Sequence, residues 1–129
     1  MNMENILREG SAKTPSVSFD SQSGILELKG RSIPENSLEF YKPLNDWIDL
    51  YGQTPCETTV VDIKLEYFNT SSSKCILDLF KKLERINLKG IPVSVNWYFE
   101  QDDEDMEEAG EDYQAILKLP FKMIEVDEI

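Results

Sequence analysis

The chain has 129 residues, with 13 Lys plus Arg against 25 Asp plus Glu and a net charge of −12. That is the length of one domain, and 40% apolar residues suffice for a core, which excludes wholesale disorder. The acidic balance excludes the basic face that a nucleic-acid binder needs, and the absence of histidine excludes Ser-His-Asp catalysis, Cys-His catalysis and every histidine-containing zinc site.

Met1 to Glu9 carries charges where a signal peptide needs its apolar stretch, and no later run approaches membrane-spanning length. A cytoplasmic protein without membrane insertion is expected, its residues 1–13 loosely ordered and its domain covering 14–129. Val17 and Phe19, then Ile25, Leu26 and Leu28, flank Asp20-Ser21-Gln22-Ser23-Gly24 and predict a hairpin. Leu38, Tyr41, Leu44, Ile48 and Tyr51 recur at helical spacing and predict a first helix over 37–51, kinked at Pro43 or starting near it. Val61, Ile63, Leu65 and Tyr67 alternate with Asp62, Lys64 and Glu66, the pattern of a strand with one wet face.

After Asn69-Thr70-Ser71-Ser72-Ser73, a second helix carries Ile76, Leu79, Phe80, Leu83 and Ile86 on one side and closes at Lys89-Gly90. Val93, Val95, Trp97 and Phe99 form the next alternation, residues 100–112 are compatible with a short helix, and Phe121 to Val126 supplies a last strand. The order ββαβαβαβ predicts a single α/β domain with a mixed β-sheet packed with helices, its later strands parallel.

Chemistry concentrates where the third strand meets the second helix. Thr70, Ser71, Ser72 and Ser73 offer four consecutive hydroxyls after Asn69 and before Lys74. A helix N-terminus leaves about four N–H groups unpaired and carries partial positive charge, so it receives phosphate well. One of these residues as an N-cap is the local reading; a hydroxyl that accepts a phosphoryl group, or a non-covalent anion site, is the functional one.

Elsewhere the chain offers little catalytic equipment. Nine acids and no base fall in residues 100–112, but counting from Asp103 puts Glu108 where an EF-hand needs glycine and Gln114 where it needs glutamate. The block reads as a solvated helix face that can steer a basic partner, and a carboxylate-based hydrolase lacks a pocket to raise one pKa. Cys56 and Cys75 cannot form a C-x-x-C pair, and Cys75 reads as a small packed residue. No enzyme, cofactor or metal is expected. Trp47, Trp97, Tyr41 and Tyr51 fall on apolar faces and read as core.

Several separated stretches together resemble the SiaC family of bacterial regulatory phosphoproteins: Gly30 to Ser37, Leu65 to Lys74, Val95 to Tyr98, Asp103 to Met106 and Glu108 to Asp112. The resemblance covers roughly Thr14 to Val126 and implies a STAS-like fold, like that of anti-sigma-factor antagonists. It implies partner switching: a serine/threonine kinase of the histidine-kinase-like ATPase type phosphorylates a threonine and a PP2C-type phosphatase removes the phosphate. The unphosphorylated form binds and activates a diguanylate cyclase, which regulates biofilm formation. Thr70 matches the phosphoacceptor, with Asn69, Ser71, Ser72, Ser73 and Lys74 around it as partner-binding or phosphate-surrounding residues. The Asn69-Thr70-Ser71-Ser72 turn departs from the Asp-Ser-Ser-Gly pattern of the wider antagonist group. A constitutive scaffold, or an antagonist-like interaction protein, is the alternative expectation.

Overall fold

Period-two strands and period-3.6 helices must share one apolar interface to leave water, and this chain builds it from a sheet covered on a single face. The structure, a computed structural model, describes residues 3–129. In chain order its elements are β1 (Ile6–Arg8), β2 (Ser16–Asp20), β3 (Ile25–Ser32), α1 (Ser37–Tyr51), β4 (Thr59–Phe68), α2 (Thr70–Leu88), β5 (Val93–Glu100), α3 (Glu104–Ile116) and β6 (Phe121–Val126). The six strands lie side by side in the order β1-β2-β3-β4-β5-β6, antiparallel from β1 to β3 and parallel from β3 to β6.

Because each parallel crossover steps to the next strand in the same direction, the three helices lie on one face. Val17, Leu26, Leu28, Ile63, Leu65, Val95 and Trp97 bury their side chains against them. The opposite face carries half-buried polar residues, among them Lys64, whose ammonium pairs with Glu27 at 3.2 Å, and Asn96, which donates to Asp62 at 2.9 Å. The mixed sheet and the helix order agree with the sequence pattern, which missed one strand. Of the stretch 1–13 expected to be loosely ordered, residues 1 and 2 lie outside the described residues, and residues 3–13 hold β1, which pairs Ile6 with Phe19 and Arg8 with Val17. Three residues are too few to display a period, and the segment is fixed by bonds that no local pattern announces: the Trp47 indole donates to the Glu4 carbonyl at 2.8 Å and the Ser21 amide to Asn5 Oδ1 at 2.8 Å.

Helix α1 spans the expected Ser37–Tyr51 and runs through Pro43 in its second turn, so it does not start near the proline. One further detail differs from the pattern. The alternation through Tyr67 breaks one residue earlier. Gly30 pairs with Leu65 but Arg31 pairs with Tyr67, so Glu66 is an extra residue in β4. This bulge turns Tyr67 out, 50% exposed with the Arg31 guanidinium 5.8 Å from its ring centroid, and turns Phe68 in against Trp97 and Tyr113.

Helix α3 approaches the sheet over Gly110. A methyl group there would lie 2.5 Å from Trp97 Cδ1 and 2.7 Å from Met123 Cε, while the Trp97 indole donates to the Met106 carbonyl at 2.9 Å. Gly110→Ala gains about 1 kcal/mol of helix propensity but overpacks a rigid buried ring, which costs roughly 1–3 kcal/mol, and the second effect is the larger. The variant is expected to melt about 2–6 °C lower than wild type by circular dichroism, and an unchanged or higher melting temperature would contradict this packing.

Candidate functional site

Strands β3 and β4 are parallel, so the helices that follow them start at the same end of the sheet, the end where parallel α/β sheets place their sites. Each start is capped by an asparagine. Asn36 Oδ1 accepts from the Glu39 amide at 3.1 Å, and Asn69 Oδ1 from the Ser72 amide at 2.9 Å. The two N-termini touch: Ser37 Oγ lies 2.7 Å from Ser71 Oγ. Ser71 gives its own proton to Asn69 Oδ1, at 3.2 Å, so Ser37 is the donor of the shorter bond.

Behind them runs a buried hydroxyl chain. Ser72 is fully buried and donates to the Ser32 carbonyl at 3.1 Å, while Ser32 Oγ donates to Ser72 Oγ at 2.8 Å. With the Ser32 proton committed, Tyr41 must donate to Ser32 Oγ across their 2.6 Å contact. Burial pushes the Tyr41 phenol up to about 12, which keeps it protonated for that task. The Asn69 amide also bonds the Ser32 carbonyl, at 3.0 Å. A third helix joins from the other side: Tyr113 Oη donates to the Ser73 carbonyl at 2.8 Å and accepts from Ser73 Oγ at 3.0 Å, its phenol raised by burial.

The four hydroxyls that the sequence left equivalent are therefore unequal. Ser72 is locked in the interior, Ser73 is tied to Tyr113, and Ser71, although exposed, is held between Ser37 and Asn69. Thr70 is the first residue of α2, exposed, and among the described residues its hydroxyl has no hydrogen-bond partner. The backbone N–H groups of Thr70 and Ser71 are those that a helix start leaves without an intrahelical acceptor. Lys74 lies one turn further on, exposed and without an ion pair among the described residues. Leu38, 76% exposed, borders the same surface from α1.

Sequence reasoning found the turn but missed the residues that sort its hydroxyls. Ser32, Ser37, Tyr41 and Tyr113 lie 34 to 40 positions away or face the turn from another element. The one signal for them was the tightly spaced Ser32 and Ser37 within the Gly30–Ser37 stretch. The remaining expected candidates fall elsewhere. Cys75 is buried in α2 and its thiol is pushed up by burial, which suits packing and not nucleophilic attack. Cys56 donates to the Ser21 carbonyl at 3.2 Å in a loop at the other end of the sheet. In α3, Asp103 caps the helix and Glu104, Asp105 and Glu107 face its positive end, so the acids serve the helix dipole. Among the described residues no three carboxylate or thiol groups converge as metal ligands, and no helix is long and apolar enough to cross a membrane.

Three kinds of similarity bear on this site. The sequence profile of the SiaC family regulatory phosphoproteins matches residues 8–126. An uncharacterised protein of Pseudomonas aeruginosa strain UCBPP-PA14 is 34% identical over 129 residues, covering 98% of this chain and all of the relative. Among solved structures, SiaC of Pseudomonas aeruginosa superposes with a TM-score of 0.89 at 30% identity, covering 96% of this chain and 100% of the other. A chain in the crystal structure of the diguanylate cyclase SiaD in complex with its activator SiaC, from the same organism, gives 0.88 at 31% identity over 96% and 100%. A fold shared over nearly the whole length, with a sequence profile to match, places the molecule: it belongs to the SiaC family of regulatory phosphoproteins.

Proposed function

We propose that this protein is a phosphorylation-controlled activator of a diguanylate cyclase, and that Thr70 is its phosphoacceptor. The observation that carries the assignment is the contrast within one turn: Thr70 Oγ1 is exposed and unbonded, whereas each neighbouring serine is committed to a partner. The likeness to SiaC, solved elsewhere with the cyclase it activates, supports the effector class. The kinase in this reading is of the histidine-kinase-like ATPase type, and the phosphatase of the PP2C type. Neither this protein nor its site performs turnover.

In the kinase step, Thr70 Oγ1 attacks the γ-phosphorus of ATP, ADP leaves, and the hydroxyl proton passes to a base of the kinase. Hydrolysis by the phosphatase returns threonine and inorganic phosphate. The modified residue gains about −1.5 to −2 charges at pH 7. Its oxygens reach the free N–H groups of Thr70 and Ser71, and Lys74 sits at the i+4 position where a cation best meets an anion. The phosphate is thus satisfied within the protein, while the surface shared with Leu38 and Lys74 becomes more negative and changes shape. An effector that docks on the uncharged hydroxyl meets a filled, negative corner, and the kinase-to-phosphatase ratio sets the bound fraction.

Three measurements test this. In calorimetric titrations with the cyclase, Thr70→Ala is expected to bind as wild type does and to ignore the kinase, whereas phosphorylated wild type binds at least about tenfold more weakly, a difference of roughly 1.4 kcal/mol. Equal affinity of the phosphorylated and unphosphorylated proteins would refute the switch. Phosphorylation should also raise the melting temperature, since a helix N-terminal anion contributes about 0.3–1 kcal/mol and the pair with Lys74 a few tenths more. Cationic and N–H neighbours favour the dianion, so the phosphate's second pKa is lower in the folded protein than in the unfolded chain. Its stabilisation is complete above about pH 6 and fades as pH falls through the folded value. In phosphorus NMR titrations, Lys74→Ala is expected to raise that second pKa; a lower melting temperature on phosphorylation would show that the phosphate disrupts the helix start instead.

A further inference from the structure

Helices α1 and α2 run side by side in the same direction, as three contacts at nearly the same offset record: Ser37 with Ser71, Asp49 with Lys82, and Gly52 with Ile86. The groove between them opens at both ends. Its upper end, beside Thr70, is lined by Glu35, Leu38, Ser71, Lys74 and Asp78. Its lower end is lined by Asp49, Lys82, Arg85 and Lys89.

In a chain of net charge −12, the lower end of this groove and the exposed line of α2 are exceptional in sign. Lys74, Lys81, Arg85 and Lys89 are exposed along α2 at steps of seven, four and four residues, and none has an ion pair among the described residues. The fifth cation, Lys82, neutralises Asp49. Asp78 of α2 opposes them, and so does Glu35 at the upper end, whose carboxylate lies 3.9 Å from Lys13. On the far side of α2 stands α3, whose exposed Glu104, Glu108, Glu111 and Asp112 have no ion pair either. Thr70 begins the same exposed line of α2 that carries Lys74, Lys81 and Arg85.

We propose that the α1–α2 groove is the docking surface for an acidic amphipathic helix of the effector, its carboxylates set against Lys74, Lys81, Arg85 and Lys89. The inference rests on the phospho-switch reading and gives it a physical sign. Two parallel helices present a groove that a third helix fills, and unpartnered cations at helical spacing match carboxylates at helical spacing. The acidic α3 repels such a partner, so it is confined to the α1 side of α2. A phosphate on Thr70 then places like charge at the head of the cationic line and uses Lys74 as its own partner. Dissociation follows from repulsion and from loss of one cation, with no rearrangement of the fold.

The test uses the full-length chain and the intact cyclase. Arg85→Glu together with Lys89→Glu reverses two charges at the end of the groove remote from Thr70. The control, Lys29→Glu together with Lys122→Glu, makes the same change in net charge on exposed residues of β3 and β6. Circular dichroism confirms that both fold. The groove variant is expected to bind the cyclase at least about tenfold more weakly than wild type and with a shallower salt dependence, while the control binds within about twofold of wild type. Loss of affinity equal in both variants would mean that net charge alone acts, and no loss in the groove variant would mean that the partner docks elsewhere; either overturns the proposal while leaving the Thr70 switch intact. Failure of the wild type to bind the cyclase in any phosphorylation state overturns the switch reading, and this inference with it.

Discussion

The fully buried hydroxyl of Ser72 is the joint on which this end of the molecule is built. It lies between the last residue of β3 and the first turn of α1, and its bonds to Ser32, with Tyr41 completing the chain, fix one strand and two helices to each other. An unpaired hydroxyl in such a place costs about 1–3 kcal/mol, so every member constrains the next. The caps of Asn36 and Asn69 then set both helix starts at one level. What remains outside this network is the side chain of the residue before it could close: Thr70 is held in position by its neighbours without being held itself. A switch residue needs that combination, since a rigid backbone makes the added phosphate a defined object and a free side chain makes it reachable.

The same end of the molecule gathers the two helix starts with their partial positive charges. Strand β4 contributes through its extra residue, Glu66, which aims Tyr67 outward and Phe68 inward. The bulge thereby gives an aromatic side chain to the surface and another to the core within two residues. Helix α3 reaches the site through Tyr113, so three helices meet at one turn of α2 by hydroxyl contacts. Polar contacts of this kind are directional, and they fix relative placement more tightly than packing of interchangeable methyl groups does.

Much of this architecture is legible in the sequence because it is written at short range. The alternation of Val61, Ile63 and Leu65 and the spacing of Leu38, Tyr41, Leu44 and Ile48 each declare their element within a few residues, and the start of α1 at Ser37 follows from polar residues just before an apolar stripe. Strand β1 is not legible, since Ile6 to Arg8 exists through pairing with β2 and through the Trp47 bond to Glu4. The bulge at Glu66 is invisible for a related reason: a single inserted residue shifts the register against β3 and turns Tyr67 outward, while the apolar-polar pattern of the sequence continues unbroken through Tyr67. At the site, the turn from Asn69 to Lys74 stands out as a cluster of hydroxyls ahead of a helix. The inequality of those hydroxyls does not, because it is imposed by Ser32, Ser37 and Tyr113 from elements far along the chain.

The acidic helix α3 has an effect on the whole molecule that differs from its effect on the site. With nine carboxylates between residues 100 and 112 and a sequence isoelectric point near 4.3, the protein's bulk electrostatic character is set before any modification occurs. A phosphoryl group enlarges a net charge of −12 by only about one part in six to eight. A partner that sensed only the far field, which salt screens within about 8–10 Å, would therefore distinguish the two forms poorly. Information in this system is carried by the address of the charge and not by its amount, so a receptor must come within contact distance of the α2 start to read it.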